Sequence, residues 1–187
     1  MPTRAAEVQA LDHGVHLIDT GFHRPAFDSC CLIVENGRAA FVDTGPNPAV
    51  PRLLAARGEL ALAPDAVDFV TATHVHLDHA VGASALMTLL PQARLAVHPC
   101  GAPHLISPRL RVQSAASVHG PDEFARSHGS IVPVARERVM QTKAGGEISL
   151  AGRPLRCLHT PGDTRHHHCI WGDRSRAFFT GDCFGLS

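Results

Sequence analysis

Neither sign of charge dominates this chain: 17 Lys and Arg stand against 17 Asp and Glu, for a formal net charge of zero. A nucleic-acid partner calls for a basic face. The nearest candidates, Arg109 to Arg111 and Arg136 to Arg138, are too sparse to make one and read as solvated surface. The first segment, Met1 to Gly21, lacks the apolar stretch of a signal peptide. Nor does any run approach the roughly 18 apolar residues needed to cross a bilayer. No CxxC pair occurs among Cys30, Cys31, Cys100, Cys157, Cys169 and Cys183. Scattered cysteines of this kind read as buried thiols rather than disulfides. No repeat or low-complexity tract stands out. These absences lead us to expect a cytoplasmic protein with a small-molecule substrate, and with neither nucleic acid nor membrane as partner.

What is present is ordinary for a globular domain. The 187 residues are 44% hydrophobic and 18% charged, enough for one domain with a substantial core. Strands are expected at Val15 to Asp19, Cys30 to Val34 and Ala39 to Val42, the last two joined through Asn36-Gly37, a hairpin signal. In the second of these, adjacent Cys30 and Cys31 point to opposite faces. Asn47-Pro48 reads as an N-cap and first-turn proline, with Gly58 as the stop, so a helix is expected over about 48–57. Val67 to Thr73 is β-branched and reads as a buried strand. Ala80 to Leu90 reads as a helix closed by Pro91, and Arg94 to Val97 as a strand. From Pro99 to Glu137 the signals weaken to short helices between Pro and Gly, a connecting region or a cover over the substrate. Strands return at Glu147 to Leu150, Leu155 to Leu158, His168 to Trp171 and Ala177 to Thr180. The polar clusters fall at strand ends, where α/β enzymes keep their sites.

The chemistry is concentrated in Thr73-His74-Val75-His76-Leu77-Asp78-His79. In extended backbone, positions i and i+2 face one way, so His74 and His76 can share one ion. Asp78 and His79 come round the turn and can face a second. Neutral imidazole and carboxylate are ligands for zinc, iron and manganese. The plain alternative is a His-rich surface loop, but four ligating side chains at this spacing argue against it.

This cluster resembles the HxHxDH motif of the metallo-β-lactamase superfamily, which includes glyoxalase II-like thioesterases. Three more segments fall in the family's order. Phe41-Val42-Asp43-Thr44-Gly45 resembles its first motif, Leu158-His159-Thr160-Pro161-Gly162 the approach to its third, and Phe179-Thr180-Gly181-Asp182 its fourth. The resemblance implies an α/β fold, the αββα sandwich, and a hydrolase acting on a small ester, thioester or lactone through two divalent metal ions, zinc foremost and iron or manganese as alternatives. It implies that His74 and His76 bind the first metal and that Asp78 and His79 serve the second. Asp182 would touch both, and Asp78 would belong to the catalytic machinery. Asp43 would orient a metal-binding His, although Asp in such a turn also caps its own backbone. The same fold hosts nucleases and non-haem iron oxygen chemistry, and fold alone does not choose. A metal-binding member with little or no turnover is the other class of reading.

The chain departs from the family pattern in two places. The family's third motif ends in His, whereas this chain has Pro161-Gly162-Asp163. Asp163 can ligate at a similar distance, while His159 or one of His166, His167 and His168 could take the place instead. His167 matches a second family His that supports the site. For His166 and His168 an exposed strand start is the reading preferred here, and His98 and His104 read as core or surface. The second departure is that the family's last His lies far downstream of its bridging Asp, whereas Ser187 closely follows Asp182. One domain over 1–187 is expected, with the second half of its sandwich incomplete for want of C-terminal strands and a helix.

Overall fold

The computed structural model describes residues 8–184; Gly185, Leu186 and Ser187, read above as an end without a closing helix, lie outside the described residues. Seven strands form a first sheet in sequence order: β1 (Val8–Ala10), β2 (Val15–Asp19), β3 (Ser29–Glu35), β4 (Arg38–Val42), β5 (Val67–Thr71), β6 (Arg94–Val97) and β7 (Val139–Gln141). The first four run antiparallel, and Asn36-Gly37, both at positive φ, turns β3 into β4. From β4 onward the pairing is parallel. Parallel neighbours need crossovers. These are α1 (Val50–Glu59), then α2 (Leu77–Leu89), then α3 (Ala102–Ile106), α4 (Arg109–His119) and α5 (Pro121–His128). A second, antiparallel sheet follows, with β8 (Glu147–Leu150), β9 (Arg153–His159), β10 (His168–Gly172) and β11 (Ala177–Phe179) in the order β11-β10-β9-β8.

Two cores separate the layers. Ile18, Leu32, Phe41, Val70 and Leu95 on one face of the large sheet pack with Leu53 of α1, Leu86 of α2 and Leu90 just beyond it. On the other face Val15, Ile33, Ala40 and Val42 meet Ile148, Leu150, Leu155, Ile170 and Phe179 of the second sheet. This gives helix, sheet and sheet. The alternation of β3 splits Cys30 and Cys31 between the two cores, as its period of two requires. Period two also turns Phe178 away from the core that Phe179 joins; it is 54% exposed on the outer face, against Trp171. Among the described residues no α-helix follows β8.

Four local expectations need correction. Asn47 opens a 3-10 turn, Asn47–Ala49, without capping it; its side-chain amide donates to the Ser130 carbonyl instead, and α1 proper starts at Val50. The strand expected to Thr73 ends at Thr71, and α2 begins at Leu77 rather than Ala80. Asp78 and His79 therefore sit in the first turn of a helix, a more rigid seat than a loop. His168 is not at an exposed strand start: it is buried, bonded to the Ala72 carbonyl and Thr142, and packed between the sheets' ends.

α2 is buried on most sides, which is why its apolar pattern has little periodicity. Gly82 lets it dock onto the loop after β4: Thr44 N–H donates to the His79 carbonyl and Gly82 N–H to the Gly45 carbonyl. A Cβ at Gly82 would meet the Gly45 and Thr44 carbonyl oxygens at 2.9 and 3.0 Å. Backbone cannot swing aside as a side chain can. Gly82→Ala is expected to lower unfolding stability by about 1–3 kcal/mol in a denaturant titration, despite alanine's better helix propensity. Unchanged stability would show that the loop is not clamped to α2.

Candidate metal centre

The site forms where the carboxyl ends of β4 and β5 meet the turns before β10 and after β11, the usual place for ligands in α/β sheets. Asp43 directly follows β4, at φ +58, a left-handed conformation that Asp tolerates better than most residues. It is buried, and its carboxylate accepts the Thr73 N–H at 2.8 Å and the Thr73 hydroxyl at 2.8 Å, and faces His79 Nδ1 at 3.2 Å. Burial alone would raise the Asp43 pKa, but the His79 bond and charge and the Thr73 donors together hold it below the ordinary value. A hydroxyl has one proton and a carboxylate only accepts. Thr73 thus gives its proton to Asp43 and accepts from His74 Nδ1 at 3.1 Å. Asp43 thereby fixes two imidazoles at once, His79 directly and His74 through Thr73, each with its Nε2 turned to the cleft. Carboxylate-backed imidazoles of this kind are typical of metal sites.

His74, His76, Asp163 and Asp182 converge, each offering one ligand atom within 4.8 Å of the others. His74 Nε2 lies 3.5 Å from Asp182 Oδ2 and 3.7 Å from Asp163 Oδ2, and His76 Nδ1 lies 3.3 Å from Asp163 Oδ2. Ligands about 2.1 Å from a tetrahedral ion stand about 3.4 Å apart, so this spacing fits one. Buried His74 Nε2 makes no hydrogen bond. Burial and then the charge of His79 push His74 down to about 3, so the ring is neutral and that nitrogen carries a lone pair. An orphaned lone pair facing two carboxylates fits a divalent cation.

The second half of the motif is built around His79. Its Nε2 lies 3.0 Å from Asp182 Oδ1 and 3.9 Å from Asp78 Oδ2. Burial opposes charge on this ring, but the Asp182 and Asp43 hydrogen bonds and the surrounding carboxylates outweigh it and push His79 up to about 11. The His79 bond in turn holds Asp182 at about 2. Asp182 thus turns one oxygen to His74 and the other to His79.

Of the residues singled out from the sequence, His74, His76, Asp78, His79, Asp163 and Asp182 lie at this centre, with Asp43 and His167 beside it. Asp163, rather than His159, stands with His74 and His76; His159 pairs instead with His98 at 2.8 Å. His166 lies in the turn before β10 with its ring 6.0 Å from that of His76. His167 is buried 5.1 Å from the His74 ring, held at Nδ1 by Thr160, with Nε2 making no hydrogen bond. Two residues were missed. Thr73 couples His74 to Asp43, and a hydroxyl immediately before the motif was its signal. Asp28 shares the cleft and is pushed up to about 6 by burial, against the lowering bond from Thr20. Nothing in its neighbourhood of the sequence marks it.

Two cavities flank the centre. One of about 950 Å³ is lined by Asp28, Asp43, Asp78, His79, Asp163 and Asp182. The other, of about 760 Å³, is mainly apolar beside Phe22, Leu77 and Val118, and reaches His76 and Asp78. Asp78 borders both.

The comparisons with known proteins agree with this architecture. Among curated proteins, the chain is 28% identical over 124 residues to the metallo-beta-lactamase fold-containing protein ST1585 of Sulfurisphaera tokodaii, covering 65% of this chain and 46% of that protein. It is 23% identical over 153 residues to a beta-lactamase-like protein 2 homolog of Caenorhabditis elegans, covering 81% and 42%. The chain thus spans less than half the length of these relatives. Among solved structures, the metallo-beta-lactamase SMB-1 superposes with a TM-score of 0.69 at 18% identity, over 96% of this chain and 68% of that one. A structure described as the first B3 metallo-beta-lactamase with an active site glutamic acid gives 0.66 at 20%, over 87% and 55%. These structural likenesses show the fold. The sequence profile of the metallo-beta-lactamase superfamily matches residues 23–185, and the chain belongs to that superfamily.

Proposed function

We propose that this chain is a metal-dependent hydrolase of a small ester, thioester or lactone. His74, His76 and Asp163 hold one divalent cation, Asp78 and His79 a second, and Asp182 reaches both. Zinc is the first candidate, iron and manganese the alternatives. The observation that carries the reading is the buried, unbonded His74 Nε2 facing two carboxylates. Cations bound here would polarise a carbonyl and supply a water-derived nucleophile near neutral pH. The chain's own residues do the rest. Asp43 locks the tautomers of His74 and His79, and His167 walls the centre behind His74. Asp78, between the polar cleft and the apolar cavity, accepts a hydrogen bond from entering water. The apolar cavity at Phe22 and Leu77 suits the acyl portion of the substrate.

Turnover of chromogenic ester and thioester probes by the metal-loaded protein tests the proposal. Bound metal without turnover of any probe would favour the non-catalytic reading. We further propose a cytoplasmic protein with a small-molecule substrate and with neither nucleic acid nor membrane as partner; among the described residues, no helix is long and apolar enough to cross a membrane. We also propose that residues 1–187 belong to a single domain of this superfamily.

Asp163 adds a negative charge where an imidazole is the family habit. A carboxylate makes the cation less Lewis acidic and favours harder ions. Asp163→Ala is expected to weaken zinc binding by about tenfold or more, as loss of even an outer supporting group does, whereas Asp163→His should keep or tighten it. Competition against a chromogenic chelator reads both. Indifference to both substitutions would place the ligand elsewhere.

A further inference from the structure

Two cysteines that the hydrolytic reading does not use stand beside the centre. Cys169, the second residue of β10, is buried; its sulfur receives the Thr160 hydroxyl at 3.4 Å and lies 3.7 Å from the Thr180 carbonyl. Cys183 is exposed and ends the 3-10 turn Gly181–Cys183, whose middle residue is Asp182. The two Sγ atoms are 3.1 Å apart. That turn is otherwise held by the Cys183 N–H to the Thr180 carbonyl at 3.3 Å, by the Thr180 hydroxyl 3.3 Å from the Gly181 and Phe184 carbonyls, and by Asp182 against His74 and His79.

His167 completes a possible ligand trio with these sulfurs. Two thiolates on one tetrahedral zinc at about 2.3 Å would stand about 3.8 Å apart. The observed pair is already closer than that, and closing it to a disulfide of about 2.05 Å needs only about 1 Å of movement.

We propose that Cys169 and Cys183 are an oxidisable dithiol, and that their disulfide staples the Asp182 turn to β10. With hydrogen peroxide as oxidant, the exposed Cys183 sulfur attacks one peroxide oxygen. The O–O bond breaks, and Cys183 becomes a sulfenic acid with release of water. The Cys169 sulfur then attacks Cys183. The S–S bond forms, the S–O bond breaks, and the departing hydroxyl takes the Cys169 proton as a second water. Two thiols are oxidised and one peroxide is reduced to two waters. A dithiol reductant reverses the step by exchange. In the hydrolytic reading the oxidised turn holds Asp182 in register with His74 and His79, but the cross-link itself does not depend on that reading.

The test uses the 187-residue chain with its metal removed. It is treated with hydrogen peroxide, denatured, alkylated with N-ethylmaleimide and mapped by peptide mass spectrometry. The expected product is one peptide pair joined through Cys169 and Cys183, with Cys30, Cys31 and Cys157 alkylated, and no such pair in Cys169→Ser or Cys183→Ser. Amide exchange at 181–184 should slow by about tenfold or more on oxidation of the wild type, because opening the turn then also strains the cross-link. Cys183 recovered as a sulfinic acid or an inter-chain dimer, with Cys169 alkylated, overturns the proposal. So does a peroxide-resistant pair that alkylates fully, or a cross-link that leaves exchange at 181–184 unchanged.

Discussion

Asp182→Ala is expected to lower ester or thioester turnover by at least about 100-fold while leaving the circular dichroism spectrum and melting temperature close to wild type. The size follows from position. Loss of a group that merely supports a metal ligand costs about 10–100-fold, and Asp182 itself faces both His74 Nε2 and His79 Nε2. Its side chain is 43% exposed on a turn outside both cores, so no packing is lost with it. Asp78→Ala should behave in the same way, since Asp78 borders both cavities and is not part of either core. A variant that unfolds would give Asp182 a structural role, and one that keeps full turnover would remove it from the centre.

The opposite pattern is expected at Asp43. Asp43→Ala deletes the acceptor of two Thr73 donors and leaves His79, buried and charged in the metal-free protein, without its nearest carboxylate. Removing one partner of a buried pair costs about 3–5 kcal/mol. For a chain of this size that is a fall of about 6–20 °C in melting temperature. Metal affinity should fall as well, because the tautomers of His74 and His79 lose their anchor. The sign with pH follows from the depressed Asp43 pKa: its contribution is present above the unfolded carboxylate value of about 4 and is lost as pH falls through the lower folded value. The gap between wild type and variant should thus hold from pH 5 to 7 and close only in strong acid. A melting temperature equal to wild type at pH 7 would show that Asp43 does not anchor the two histidines.

The strands were legible because each carries its own pattern. Val15 to Asp19 and Arg94 to Val97 have the expected limits, and Asn36-Gly37 places the hairpin between β3 and β4. What pattern cannot show is context. β1 and β7 are three residues each, too short for a period to register, and they form as the outer strands of a sheet already built. α2 begins three residues before its expected start because Leu77, Asp78 and His79 read locally as polar turn, while burial against the β4 loop pulls them into helix. The site follows the same division. His74, His76, Asp78 and His79 are adjacent in sequence and visible as a cluster. Asp163 was an open choice among five nearby residues until the turn before β10 brought it to His76 and sent His159 to His98. Asp28 carries no local mark at all, since only the closed cleft desolvates it.

The central claim is that His74, His76, Asp163 and Asp182 hold a divalent cation. Metal analysis of the untagged protein beside its His74→Ala variant, both exhaustively dialysed at neutral pH, tests it most directly. The expected result is stoichiometric zinc, iron or manganese in the wild type and loss of the ion from this cluster in the variant. A wild type without bound metal, or a variant that retains the full wild-type content, would contradict it.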